Sequence, residues 1–144
     1  MLLGSLYATS NQELFSHFDS VASVLIRGGL YIMDGVMHCR LLSNNRQKWT
    51  MRKDGITVTT TYRVQVVDHL KQTHYEDLTL EVDDHGKRRR IVHSQVLHKF
   101  FFPQEFLSLI ECHPAFEFVT WCRNFDLTKP PQEKTQNAVI LRRI

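Results

Sequence analysis

The groups in this 144-residue chain that could move protons or hold a metal are eight histidines, three cysteines and fifteen carboxylates. Five of the histidines, His69, His74, His85, His93 and His98, fall in one stretch of alternating residues. His93 and His98 are five apart, so on a strand they point to opposite faces, and no His-Glu-x-x-His run or Cys/His cluster accompanies them. That spacing argues against a metal site. Cys39, Cys112 and Cys122 include no Cys-x-x-Cys pair and are too few and odd in number for a disulfide framework, which points to a reducing cytosol. None of them, nor Ser5, sits in a nucleophile motif, and Cys112 and Cys122 lie in apolar segments as core residues do. The candidates for contact with a small-molecule substrate are Ser5 and Tyr7 near the start of the chain, with Trp49, Tyr62 and Arg63 in the alternating stretch. Catalytic residues are not identifiable at this level, because no acid/base or nucleophile pair stands out.

The charge balance restricts the partners. A net charge of +3 is spread over several segments, so it does not point to nucleic acid. The one compact basic run, Lys87-Arg88-Arg89-Arg90, follows a turn and is offset by Asp83 and Asp84, as a solvated hairpin end would be. No stretch approaches the ~20 apolar residues of a membrane span, and no basic segment precedes the short apolar start. A soluble, cytoplasmic protein is the expectation. The 42% hydrophobic content suits a single domain over residues 1–144.

The elements that must position these residues follow from periodicity. Ser10-Asn11-Gln12-Glu13 has the form of a capping box, and Leu14, Phe15, Phe18, Val21, Ala22 and Leu25 recur at helical spacing until Gly28-Gly29. Leu30 to Met33 reads as a strand buried on both faces. From about Trp49 to Leu97 the period becomes two. Ile56 to Val66, Leu78 to Val82 and Arg90 to Leu97 predict an antiparallel meander, with a hairpin turn at Asp83-Asp84-His85-Gly86. Pro103 opens a short helix that Pro114 stops, and Phe116 to Cys122 and Ala138 to Leu141 are the last strands.

Four stretches in this order resemble class I S-adenosylmethionine-dependent methyltransferases, specifically their C-terminal half. Gly4 to Ser10 is similar to the loop after the family's fourth strand, and Leu14 to Leu25 to the following helix. Ile26-Arg27-Gly28-Gly29-Leu30-Tyr31-Ile32-Met33-Asp34 resembles the family's Gly-Gly approach to the fifth strand, without the usual proline. Phe102 to Phe106, Phe116 to Val119 and Asn124 to Asp126 resemble its closing helix and sixth strand, and Asn137 to Arg143 the seventh. The resemblance implies an α/β fold: a partial Rossmann-like methyltransferase sheet with an antiparallel β-meander insertion at about residues 45–99, on the substrate side.

The family holds S-adenosylmethionine with a Gly-rich loop and an acidic residue at the ribose. No G-x-G spacing occurs among Gly4, Gly28, Gly29, Gly35, Gly55 and Gly86. The expectation is therefore a shortened methyltransferase-like protein, the substrate-side half, binding no cofactor and inactive as an isolated chain. Its complement is a separate cofactor-binding half or a second copy in a homodimer. The alternative is a non-catalytic module that binds a small molecule or a protein.

Overall fold

In a computed structural model, the structure describes residues 6–37, 43–132 and 137–144, with backbone alone at 87–90. Ser5, Gly4, Cys39 and the apolar start lie outside the described residues. The elements run α1 (Asn11–Val24), β1 (Leu30–Asp34), β2 (Asn45–Lys53), β3 (Ile56–Asp68), β4 (Thr73–Asp84), β5 (Lys87–Lys99), α2 (Pro103–Glu111), β6 (Phe116–Arg123) and β7 (Asn137–Arg143). They divide into two compact units, the second of which, residues 42–98, interrupts the first in sequence.

The first unit holds α1, α2 and a three-stranded sheet in the order β1-β7-β6, with β7 antiparallel to both neighbours. Helix α1 begins where the sequence places it. Ser10 Oγ accepts from the Glu13 N–H at 3.1 Å, while the Glu13 carboxylate reaches back one residue further than in a standard capping box, to the N–H (2.7 Å) and hydroxyl (2.9 Å) of Thr9. Its last turn carries no basic residue, and Arg143 of β7 fills that role by donating from Nε to the Ala22 carbonyl at 3.3 Å. Helix α2 starts at Pro103, and Glu105 accepts from the Phe102 N–H at 3.4 Å and from Lys99 Nζ at 2.8 Å.

The apolar stripe of α1 packs as its spacing requires. Leu14 and Phe18 are fully buried with Met33, Phe101, Phe106, Ile110, Phe116, Val139 and Leu141. Phe18 stands edge-on to Phe106 and to the buried ring of His113. Each such phenylalanine contributes ~1.5–3 kcal/mol through burial. One expectation needs correction. Strand β1 is not buried on both faces: Tyr31 and Met33 join the core, but Leu30 is 52% and Ile32 37% exposed. Residues alternate across a strand, and the core of this unit lies on one side.

The second unit is a four-stranded antiparallel meander, β2-β3-β4-β5. Two tight turns set its register. Asp54-Gly55 and His85-Gly86 each hold both central residues at positive φ (49° and 76°, 52° and 78°), the conformation whose twist matches flanking strands. The turns touch: His85 donates its N–H to the Gly55 carbonyl at 3.0 Å, and a Cβ at Gly55 would meet the His85 ring at 2.4 Å. Strand β2, Asn-Arg-Gln-Lys-Trp-Thr-Met-Arg-Lys, is exposed along its whole length and too polar to announce itself by hydrophobic alternation.

Candidate functional site

Alternation along the meander sorts its side chains onto two faces with different chemistry. The pairs Trp49 with Thr60, Tyr62 with Leu78 and Val64 with Glu76 put Trp49, Thr60, Tyr62, Val64, His74, Glu76, Leu78 and Leu80 on one face. Arg46, Lys48, Arg52, Thr61, Arg63, Asp77 and Thr79 take the other. The first face is mostly apolar. On β2, β3 and β4 its charged residues are Lys53 and Asp84 near the hairpin tips, and Glu76 eight residues along the ladder from Asp84.

Glu76 is the centre of a four-residue cluster. Tyr62, diagonal to it across the β3–β4 ladder, donates its hydroxyl to the carboxylate. His74, two residues back on the same face, brings Nε2 to 3.5 Å from one carboxylate oxygen, and His98 of β5 brings its Nε2 to 3.8 Å from the other. The two imidazoles stack with centroids 5.4 Å apart at 21°, and both histidines are buried. Burial alone would raise the Glu76 pKa. The hydrogen bonds from His74 and Tyr62, together with the nearby imidazoles of His98 and His74, outweigh it and hold the carboxyl below its ordinary value. Burial pushes the Tyr62 phenol well up, and its hydrogen bond to Glu76 and that residue's negative charge push it further. The result is an anionic carboxylate bracketed by two imidazoles and a phenol, a set that can anchor a cation or receive a proton from a bound group.

The substrate-side candidates are distributed unequally. Tyr62 belongs to the cluster, and Trp49, 42% exposed, shares its face. Arg63 points to the opposite face, and Tyr7 is an exposed residue of the other unit. Glu76, His74 and His98 were not singled out by sequence reasoning, which treated the histidines only as metal ligands. The signal was there: on a predicted strand, His74 and Glu76 are two apart and hence on one face. The separation expected for His93 and His98 is observed, with His93 beside Thr79 Oγ1 at 3.2 Å. Among the described residues, no group of three or more His, Cys, Asp or Glu side chains is placed to hold a metal ion.

The first unit carries a smaller polar pair. The Tyr31 hydroxyl lies 2.6 Å from His17 Nε2; burial pushes the phenol up to about 12 and the His17 imidazole down. The described glycines stand at connections. Gly28 and Gly29 join α1 to β1, Gly55 and Gly86 turn the meander, and neither helix is entered directly from a glycine.

These features define the class: a mixed α/β protein whose three-stranded sheet is interrupted by an antiparallel meander. That is the fold of part of the S-adenosylmethionine-dependent methyltransferases. One such enzyme from Clostridium acetobutylicum superposes with a TM-score of 0.75 at 17% identity, over 98% of this chain and 55% of its own. The CcbJ methyltransferase from Streptomyces caelestis matches at 0.69 and 14%, over 99% and 58%. CalS10, an amino pentose methyltransferase from Micromonospora echinaspora, matches at 0.68 and 14%, over 96% and 56%. At these identities the likeness is one of fold, and the chain spans little more than half the length of each structure. No family model matches the sequence, and no curated protein matches it. No helix among the described residues is long and apolar enough to cross a membrane.

Proposed function

We propose that this chain is the substrate-side half of a shortened, cytoplasmic methyltransferase-like protein, in which the Tyr62, Glu76, His74 and His98 cluster receives the methyl acceptor. The observation that carries this reading is the coverage: nearly all of the chain superposes on about half of an S-adenosylmethionine-dependent enzyme. The cofactor-binding half is supplied elsewhere, by another segment or chain, or a second copy covers in a homodimer the surface that this half would otherwise cover. Support for the missing cofactor site is the lack of any G-x-G spacing and of a glycine leading directly into either helix. An amine fits the cluster best as acceptor. Glu76 sets a negative charge beside Tyr62, Val64 and Leu78, which attracts an ammonium group, and the imidazoles can take the proton that leaves a nitrogen as it becomes nucleophilic. CalS10, which shares the fold, acts on an amino pentose.

Calorimetric titration of this chain with S-adenosylmethionine tests the division of labour. The expected result is no saturable heat. A 1:1 isotherm of micromolar affinity, ~8 kcal/mol of binding free energy, would place a complete cofactor site within these residues and overturn the proposal.

A further inference from the structure

The polar face of the meander contains an arrangement that costs the fold something. The β2–β3 register sets Arg46 directly opposite Arg63, and alternation points both side chains to the same face. Like charges at directly opposed positions of an antiparallel pair repel, because their Cβ atoms stand only ~4.5–5.5 Å apart. Lys48 and Arg52 extend the same basic row along β2.

Asp77, directly opposite Arg63 on β4, offsets one of the two charges and leaves the group with a net positive charge. Neither Arg46 nor Arg63 forms an ion pair or a side-chain hydrogen bond among the described residues. Asp77 is the nearest carboxylate by register, and it is engaged on its other side. Gln95 Nε2 donates to Asp77 Oδ1 at 2.7 Å, and His93 Nε2 is 4.0 Å from the same atom.

The two arginines line an open cleft of about 370 Å³ with Asn44, Asn45, Val64 and Gln65. The Asn44 Oδ1 is already used, accepting from the Val66 N–H at 2.9 Å, so that side chain has only its amide nitrogen left to offer. Two planar guanidinium forks and neighbouring amide donors beside such a cleft are matched by a ligand rich in acceptor oxygens and negative charge.

We propose that Arg46 and Arg63, assisted by Gln65 and Asn44, form a binding site for the oxyanion group of a small molecule, a phosphate or a carboxylate. Its two arginines lie on the opposite face of β3 from Tyr62, and the site stands independently of the methyltransferase reading. A bound oxyanion bridges the two guanidinium groups and removes the repulsion that the empty pair carries.

Thermal melting and NMR of the arginine Nε–H signals, on the full chain, test it with inorganic phosphate and with acetate, against chloride at matched ionic strength. The expected result is a saturable rise in melting temperature and saturable shifts of the Arg46 and Arg63 signals with phosphate, acetate or both, and neither with chloride. Whichever anion saturates identifies the group recognised. Arg46→Gln and Arg63→Gln should each weaken the response at least tenfold, and Arg46→Gln should melt higher than the wild type in chloride, because the repulsion is gone while Arg63 keeps Asp77 opposite it. Lys48→Gln, on the same strand and face, should retain the saturable response. No saturable response to either anion overturns the site, as does a response that survives both arginine substitutions or falls equally in Lys48→Gln.

Discussion

The two units of this molecule bury different things. The one containing α1, α2 and β1-β7-β6 buries phenylalanine, leucine and valine. Among the described residues of the meander, the buried ones are Val64, Thr60, Thr73, His74 and His98. A core built of Phe18, Phe106 and Phe116 gives stability through area removed from water, whereas buried threonines and imidazoles must be matched by hydrogen bonds and contribute little net. Buried apolar area therefore concentrates in one unit and the Glu76 cluster of titratable groups lies in the other. An antiparallel sheet can keep a polar face in water and still fold, which leaves its other face available for a site.

The sharpest way to break that contrast is at Phe18. Phe18→Ala should cost ~3–5 kcal/mol, read as a fall in the denaturation midpoint, because its ring joins α1 to α2, the loop after it and β6 through Phe106, His113 and Phe116. Trp49→Ala in the meander should cost about 1 kcal/mol or less, as for other half-exposed residues. Equal losses at the two positions would mean that the meander carries as much of the stability as the helical unit.

A smaller effect is expected at the start of α1. Ser10→Ala removes the acceptor of the Glu13 N–H and should cost ~1 kcal/mol, leaving Glu13 bonded to Thr9. An unchanged midpoint would show that the Thr9–Glu13 bonds hold the helix end alone.

The mildest change is Glu76→Gln, whose signature is pH dependence. Because the folded pKa of Glu76 is depressed, its contribution to stability is present above the unfolded glutamate value near ~4.3 and is lost as pH falls through the lower folded value. The stability gap between wild type and variant should thus be constant toward neutral pH and close between about pH 5 and pH 2. Urea midpoints across that range measure it. A gap that stays constant into acid would mean that Glu76 is not held ionised by Tyr62, His74 and His98.

Local pattern made most of the fold legible. The helix after Ser10, its apolar stripe, the turn before Gly86 and the order of the last strands are each set by neighbours within a few residues of one another. Periodicity and turn chemistry report such relations directly. Strand β2 escaped because edge exposure removes the alternation that would reveal it, and the exposed face of β1 because a short apolar run does not say how many of its sides have a partner.

What the tertiary structure alone decided is which distant groups share a face. His74 and Glu76 are paired by the two-residue period of one strand, but Tyr62 and His98 reach them only through the β3–β4–β5 ladders. Arg46 and Arg63 meet because the Asp54-Gly55 turn fixes one register, and a slip of a single residue would send either side chain to the opposite face. Composition and spacing describe what each segment can do, but pairing register is a property of two segments at once, and in this protein both groups of facing side chains depend on it.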